Sequence, residues 1–114
     1  MSVQTSGTIR LASIDDIPEG QGREFHVGDR YIALFRHQGQ FYAMEDVCPH
    51  AGAPLTNGPL SRGTVTCMLH GWRFNLHNGV CVNLPNAPAV PTFPVTVHGY
   101  DVYVTLPPND TGEQ

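Results

Sequence analysis

Short runs of alternating apolar and polar residues recur along this chain, and glycine, proline or asparagine residues separate them. Within residues 40–45, Phe41 and Ala43 fall on one face of an extended segment, and Tyr42 and Met44 fall on the other. Alternation with a two-residue period is typical of a half-buried β-strand. The pattern therefore predicts an all-β protein built from short antiparallel strands.

The residues between these runs predict how the strands are connected. Gly28-Asp29 has the composition of a two-residue hairpin loop of type I′ or II′, and Gln38-Gly39 forms a second tight turn. We expect no more helix than one turn near residues 13–17. The predicted strands are residues 8–11, 24–27, 31–37, 40–45, 64–67, 73–76, 92–98 and 101–106, the last two forming a hairpin.

The chain changes character at Asp46 and stays rich in turns as far as about residue 82. Its length of 114 residues is that of one domain. We therefore expect a single domain over residues 1–114, in which a loop-rich segment is inserted into a framework of strands. The base of the framework is residues 8–45 and 83–106, the inserted segment is residues 46–82, and the polar tail is residues 107–114.

Composition and charge exclude several classes of partner. The net charge is −4, and the six basic residues are all arginines without a cluster, which argues against nucleic acid and anionic membranes. No stretch approaches the ~18 apolar residues of a membrane span, and residues 1–8 lack the features of a signal peptide. Three cysteines, an odd number, fit a reducing compartment. We expect a soluble, cytoplasmic protein.

Four residues with metal-binding side chains stand in two short motifs of the inserted segment. Cys48 and His50 form Cys-x-His, Cys67 and His70 form Cys-x₂-His, and sixteen residues separate His50 from Cys67. Two thiolates and two imidazoles suit a structural zinc ion or a [2Fe–2S] cluster with two cysteines on one iron and two histidines on the other. Zinc motifs usually pair ligands of one type. Each motif here mixes the two types, which favours the binuclear cluster.

With these motifs the sequence resembles the Rieske proteins, in which about fifteen to seventeen residues separate Cys-x-His from Cys-x₂-His. The similarity includes CPHAG at residues 48–52 and CMLHGWRF at residues 67–74, and it extends over about residues 8–106. It implies a Rieske-type antiparallel β-sandwich, with the inserted segment as its cluster-binding subdomain and a Rieske-type [2Fe–2S] cluster as cofactor. The implied ligands are Cys48 and Cys67 on one iron and His50 and His70 on the other.

The residues around the motifs predict a low reduction potential within that family. High-potential Rieske proteins carry a disulfide at positions matching Ala53 and Leu69, and hydroxyl groups at positions matching Trp72 and Phe74. Neither feature is possible with the residues present here. Hydrogen bonds to cluster sulfur stabilise the reduced state, so we expect a potential near the bottom of the range of about −150 to +300 mV.

The resemblance implies a one-electron carrier that receives electrons from an NAD(P)H-dependent flavin reductase and passes them to a terminal oxygenase. An alternative is the electron-transfer small subunit of an NAD(P)H nitrite reductase. A zinc-binding module without redox activity is a remote alternative. The sequence offers neither a substrate pocket nor an acid–base pair, so we expect a component of an oxidoreductase system that is not a catalyst on its own.

Four further residues near the motifs each have two interpretations. Cys81 lies between two valines and is expected to be buried, although a role as a fifth ligand or redox thiol stays open. Trp72 either packs under the second motif or shields the cluster. Pro88 either covers the cluster or belongs to an ordinary turn. Asp46 either lowers the potential through its charge or caps the end of a strand.

Overall fold

In the part of the chain that the structure describes, the fold consists of short β-strands with one turn of 3₁₀ helix at Ile14–Asp16, so the predicted all-β architecture is confirmed. The residues described by the computed structural model are 7–49, 52–69, 71–84 and 86–107. Within them the strands are β1 (Gly7–Ser13), β2 (Gly22–Val27), β3 (Arg30–His37), β4 (Gln40–Glu45), β5 (Leu60–Ser61), β6 (Thr64–Thr66), β7 (Arg73–Asn75), β8 (Thr92–Phe93), β9 (Val95–His98) and β10 (Asp101–Leu106). In this described part of the chain, no helix is long and apolar enough to cross a membrane.

The strands form three antiparallel sheets. The terminal sheet has the order β1-β10-β9, the central sheet has the order β2-β3-β4-β8, and the small sheet has the order β5-β6-β7. Pairing of β1 with β10 closes the framework, because it joins the first and last strands of the described chain. The small sheet lies wholly within residues 46–82, and the other strands lie outside that segment. The division into a base and a cluster-binding subdomain is compatible with this arrangement and stays a prediction.

The two tight turns expected from the sequence connect the strands of the central sheet. Val27 pairs with Arg30, and a φ of +59° at Gly28 suits the first central position of a type II′ turn. Gln38 and Gly39 both have positive φ, 54° and 76°, as a type I′ turn requires. Local turn chemistry therefore fixes the register of β2, β3 and β4.

The predicted strand at residues 92–98 is divided at Pro94. Its first part, β8, pairs with β4 in the central sheet, and its second part, β9, pairs with β10 in the terminal sheet. Pro94 has no N–H to donate to a ladder, and its carbonyl accepts the backbone N–H of Thr105 at 2.9 Å. The chain therefore changes sheets at Pro94. The predicted final hairpin contains only β9 and β10.

Strands β3 and β4 of the central sheet carry buried side chains on both faces, so the interpretation of residues 40–45 as a half-buried strand, with one face covered, is wrong. Ala43 belongs to one buried cluster, with residues of the terminal sheet such as Val102 and Val104. Met44, on the opposite face, belongs to a second cluster that includes Val65 of the small sheet. Strand β4 is covered on both sides because the terminal sheet and the inserted segment pack on opposite faces of the same sheet.

The loop of residues 83–91 is hydrogen-bonded to Gly79, which lies in the turn after β7. The backbone N–H of Val90 donates to the Gly79 carbonyl at 2.9 Å, and the N–H of Gly79 donates to the Asn75 carbonyl at 2.7 Å. Gly79 has a φ of +76°, and a Cβ at this position would lie 1.9 Å from the Val90 carbonyl oxygen. Only glycine allows this approach, which brings the proline-containing loop beside β7.

We expect the variant Glu19→Gln to be less stable than wild type at neutral pH. The Glu19 carboxylate accepts the backbone N–H groups of Gly39 and Gln38, at 2.9 and 2.5 Å, and these bonds hold its pKa below the ordinary value. A carboxyl whose pKa is lowered by folding stabilises the protein above its unfolded pKa of about 4.3, and the stabilisation is lost as the pH falls through the folded pKa.

Urea unfolding of wild type and Glu19→Gln at several pH values measures this contribution. The two free energies of unfolding should differ at about pH 7 and converge towards about pH 2. Asp15→Asn, which changes an exposed carboxylate on the 3₁₀ turn, is the matched control. A difference that persists unchanged into strong acid would contradict the role of the Glu19 charge.

Candidate metal centre

Two loops of six residues each begin at a buried cysteine that was predicted to be a metal ligand. The first loop, residues 48–53, follows β4, and the second loop, residues 67–72, follows β6. Cys48 is 0% exposed and Cys67 is 1% exposed, and both belong to the same buried cluster. The two predicted thiolate ligands are therefore buried in the same apolar core. The other two predicted ligands, His50 and His70, lie outside the described residues.

The two loops share one pattern of backbone hydrogen bonds. In each, the cysteine N–H donates to the carbonyl five residues later, and the N–H of the glycine four residues later donates to the cysteine carbonyl. Both glycines have positive φ, 70° and 76°. The four distances are 2.7 Å (Cys48 to Ala53), 2.7 Å (Gly52 to Cys48), 2.7 Å (Cys67 to Trp72) and 3.1 Å (Gly71 to Cys67). Each loop is thus closed on its own cysteine by the same two hydrogen bonds.

The chemistry of the described donors fits a metal centre with cysteine ligands. All three cysteines of the chain are thiols rather than halves of a disulfide. Within residues 7–49, 52–69, 71–84 and 86–107, no three Cys, His, Asp or Glu side chains come together as a metal site. A complete ligand set at the two loops therefore needs donors from the remaining positions, where His50 and His70 stand.

The exit of the first loop is fastened by Asp46, a buried carboxylate at the end of β4. Its Oδ1 accepts the backbone N–H groups of Leu55 and Thr56, at 2.6 and 2.9 Å, and its Oδ2 accepts the Thr56 hydroxyl. A hydrogen bond to Asp46, assisted by desolvation, raises the pKa of Glu24 on β2. The Asp46 carboxylate therefore fastens the backbone at Leu55 and Thr56 rather than the end of a strand, and an effect of its charge on the potential stays a prediction.

Strand β7 leads from the second loop to Cys81. Cys81 forms a bridge with Phe74 and is 6% exposed, so the prediction that it is a buried residue is confirmed. Its Sγ donates to Oδ1 of Asn83 at 3.3 Å. Sequence reasoning missed Asn83, which also contacts the backbone at Gly71 and Arg73. No local pattern marks Asn83, because these partners lie 12 and 10 residues earlier in the chain.

Exposed apolar side chains lie in and beside the second loop. Met68 is 65% exposed and Leu69 is 57% exposed. Trp72 is half-buried, packs against the core that contains both loop cysteines, and lines a shallow groove with Leu84 and Pro88. Packing under the loop is therefore part of the role of Trp72. The second loop presents an apolar surface that a protein partner could cover.

A model of the Rieske [2Fe-2S] domain matches residues 7–94 of the chain, a range that contains both loops. The 3-phenylpropionate/cinnamic acid dioxygenase ferredoxin subunit of Escherichia coli (strain K12) is 38% identical over 100 residues, which are 87% of this chain and 93% of that protein. The ferredoxin component of the alkene monooxygenase system of Xanthobacter autotrophicus is 31% identical over 101 residues, 88% of this chain and 82% of that protein.

Human Apoptosis-inducing factor 3 is 38% identical over 94 residues. Those residues are 82% of this chain but only 16% of that protein, so the chain spans a small part of this larger relative. The similarity to it therefore concerns one domain. The two ferredoxin components, in contrast, correspond to the chain over most of their own length.

Solved structures show the same fold. The ferredoxin of carbazole 1,9a-dioxygenase from Nocardioides aromaticivorans IC177 has a TM-score of 0.83 and 28% identity, covering 90% of this chain and 100% of that one. A ferredoxin-like chain in a complex of reduced oxygenase and oxidized ferredoxin has a TM-score of 0.81 and 30% identity, covering 91% and 97%. A structure described as the small subunit of an NADPH nitrite reductase has a TM-score of 0.77, covering 85% and 96%, and its 24% identity shows the fold alone.

We expect Asp46→Ala to lower the free energy of unfolding by about 2–4 kcal/mol, because hydrogen bonds to a buried charged group are strong and the orphaned amides keep no acceptor. Asp46→Asn keeps one acceptor oxygen and should lose less. Urea denaturation followed by far-UV circular dichroism measures both variants. A loss below about 0.5 kcal/mol in Asp46→Ala, the size typical of a neutral surface change, would contradict the anchoring role.

Proposed function

Because this chain belongs to the Rieske [2Fe–2S] domain family, we propose that it is an electron carrier that delivers single electrons to a terminal oxygenase. Membership of the family confirms the resemblance that the two loop motifs predicted, and it implies a [2Fe–2S] cluster. The observation that carries the proposal is the correspondence of this chain with ferredoxin components over nearly their whole length.

The proposed ligands are Cys48 and Cys67 for one iron and His50 and His70 for the other. The two loops support this assignment, since each begins at a buried cysteine and each is closed by the same two hydrogen bonds. When bound, the cluster supplies reversible one-electron transfer. The hydrogen-bond pattern that the two loops share suits a binuclear centre, in which each loop would contribute one sulfur and one imidazole ligand.

The residues of the chain itself have the tasks of excluding water and fixing the loops. Burial of Cys48 and Cys67 among apolar side chains such as Met44 and Phe74 keeps the sulfur ligands away from solvent. The apolar side chains around a metal centre limit the access of water and thereby influence its reduction potential. Trp72 and Phe74 carry no hydroxyl group that could donate to cluster sulfur, which supports the proposal of a low potential.

The proposed acceptor is an oxygenase, and the proposed donor is a flavin reductase that uses NAD(P)H. The E. coli relative is named as a subunit of a dioxygenase, and a similar ferredoxin has been solved in complex with its oxygenase. The exposed Met68 and Leu69 give the second loop an apolar surface suited to a protein partner. A low potential permits reduction by NAD(P)H through a flavin. We further propose a cytoplasmic location, where NAD(P)H is available.

Reduction of the anaerobically purified protein with dithionite should give the EPR signal of a Rieske centre, with a midpoint potential near or below about −100 mV, at the low end of the family range. The reduced protein, mixed with a ring-hydroxylating terminal oxygenase, should then be reoxidised as the oxygenase is reduced. EPR-monitored redox titration and stopped-flow absorbance measure the two steps.

Other outcomes would overturn separate parts of the proposal. A colourless protein that contains zinc would contradict the electron-carrier function. A midpoint well above zero would contradict the argument from Trp72 and Phe74. Transfer to a nitrite reductase but not to the oxygenase would replace the proposed acceptor with the alternative one.

The variant His50→Cys should lose or shift the Rieske spectrum, because a thiolate adds negative charge where a neutral imidazole is proposed. The visible circular dichroism and EPR spectra of the purified variant measure the change. His77→Ala is the matched control, since His77 is exposed and packs against Tyr42 outside the two loops. A His50→Cys spectrum identical to that of wild type would defeat the ligand assignment.

A further inference from the structure

The side chain of Asn83 makes three hydrogen bonds beside the second loop. Its Nδ2 donates to the Gly71 carbonyl at 2.8 Å, and its Oδ1 accepts the backbone N–H of Arg73 at 3.0 Å. The same Oδ1 accepts the Cys81 thiol at 3.3 Å. One side chain thus contacts the last part of the second loop, the first residue of β7 and the third cysteine of the protein.

These bonds extend a strand pairing into the loop. The backbone N–H of Val82 donates to the Arg73 carbonyl at 2.8 Å, and Phe74 is bridged to Cys81. Beyond Val82 the side-chain amide of Asn83 takes the place of a neighbouring peptide group, with its oxygen towards Arg73 N–H and its nitrogen towards the Gly71 carbonyl. The backbone on both sides of Trp72 is therefore held by Asn83.

The contacts at this position suit an amide side chain. A single group must present an acceptor to one backbone site and a donor to another, and asparagine and glutamine carry both on one planar amide. Aspartate would set a carboxylate oxygen against the Gly71 carbonyl, and alanine would supply neither partner. Asn83 lies two residues after Cys81, so its short side chain reaches the backbone next to the bridge between Phe74 and Cys81.

The exit of the second loop is held by the side chain of Asn83, whereas the start of the loop is held by the backbone. At its start, Cys67 is held through its own N–H to the Trp72 carbonyl at 2.7 Å. In the first loop the corresponding task belongs to the buried carboxylate of Asp46. The two loops are thus anchored at their exits by different polar side chains. The first is held by the carboxylate of Asp46 and the second by the neutral amide of Asn83.

We propose that Asn83 is a positioning residue of the metal centre, which holds the backbone that follows His70 so that the second loop keeps its ligands in place. This inference rests on the proposed function, in which Cys67 and His70 are ligands. Residues that orient metal ligands without touching the metal typically change metal affinity by about 10–100-fold when they are replaced. The bond to Cys81 orients that thiol towards Asn83.

The test compares holoprotein variants for the rate at which a chelator removes iron, for the EPR spectrum and for the midpoint potential. Asn83→Ala should release iron about 10-fold faster than wild type or more, with a shifted EPR spectrum. Asn83→Asp should also release iron faster, because it loses the donor to Gly71. Asn78→Ala is the matched control, because it removes one exposed asparagine contact, to the Val80 N–H at 3.0 Å, in the neighbouring turn. Asn78→Ala should behave as wild type.

The variant Cys81→Ala separates the bond of Asn83 to the Cys81 thiol from its bonds to the loop backbone. It removes the thiol and leaves the bonds to Gly71 and Arg73 in place, so it should release iron at nearly the wild-type rate. If Cys81→Ala reproduces the effect of Asn83→Ala, positioning of the loop backbone is the wrong explanation. If Asn83→Ala does not fold by far-UV circular dichroism, Asn83→Asp decides the question with the same readouts.

Two results distinguish this inference from the proposed function. Equal iron release, EPR spectra and potentials for the variants Asn83→Ala, Asn83→Asp and Asn78→Ala would overturn the positioning role while leaving the Rieske centre intact. A wild-type protein without the Rieske spectrum would contradict the proposed function, and the role of Asn83 at the centre would fall with it.

Discussion

Burial of side chains on both faces of β3 and β4, in the central sheet, is the constraint on which the rest of the structure depends. Strands β3 and β4 are long enough to carry two sets of apolar side chains, and each set forms its own core. The terminal sheet covers one face. The other face is covered by the inserted segment, which brings Cys48 and Cys67 into a single buried cluster. The two proposed thiolate ligands therefore belong to one of the two cores, while the ends of the framework are joined at the other.

In an irregular segment the backbone N–H and C=O groups need hydrogen-bond partners, although no long strand ladder supplies them. The two loops find such partners in a similar way. Each closes on its own cysteine, and each then needs a polar side chain to fasten the exit. Asp46 does so from inside the protein, where a carboxylate can accept three donors at once. Asn83 does so from the surface, where a neutral amide offers one donor and one acceptor. Rigid loops suit electron transfer, because a preorganised metal centre needs little rearrangement.

The similarity to known ferredoxin components relates the buried cysteines and the exposed second loop to electron transfer. A carrier must shield its sulfur ligands from water and yet come close to two partners in turn. Here the cysteines are buried, while Met68 and Leu69 are exposed on the second loop. The net charge is only −4 on 114 residues, so the exposed apolar side chains of the second loop are not set in a strongly charged chain.

The sequence by itself determined the all-β class, the tight turns at Gly28-Asp29 and Gln38-Gly39, and the family, because these depend on local turn chemistry and on the spacing of cysteine and histidine. Only the tertiary structure decided that β4 is covered on both faces, that the chain changes sheets at Pro94, and that Asn83 contacts the second loop. These features depend on contacts between residues distant in the chain. A periodic pattern records which side chains alternate, but it does not record what packs against each face or which backbone groups a lone asparagine will reach.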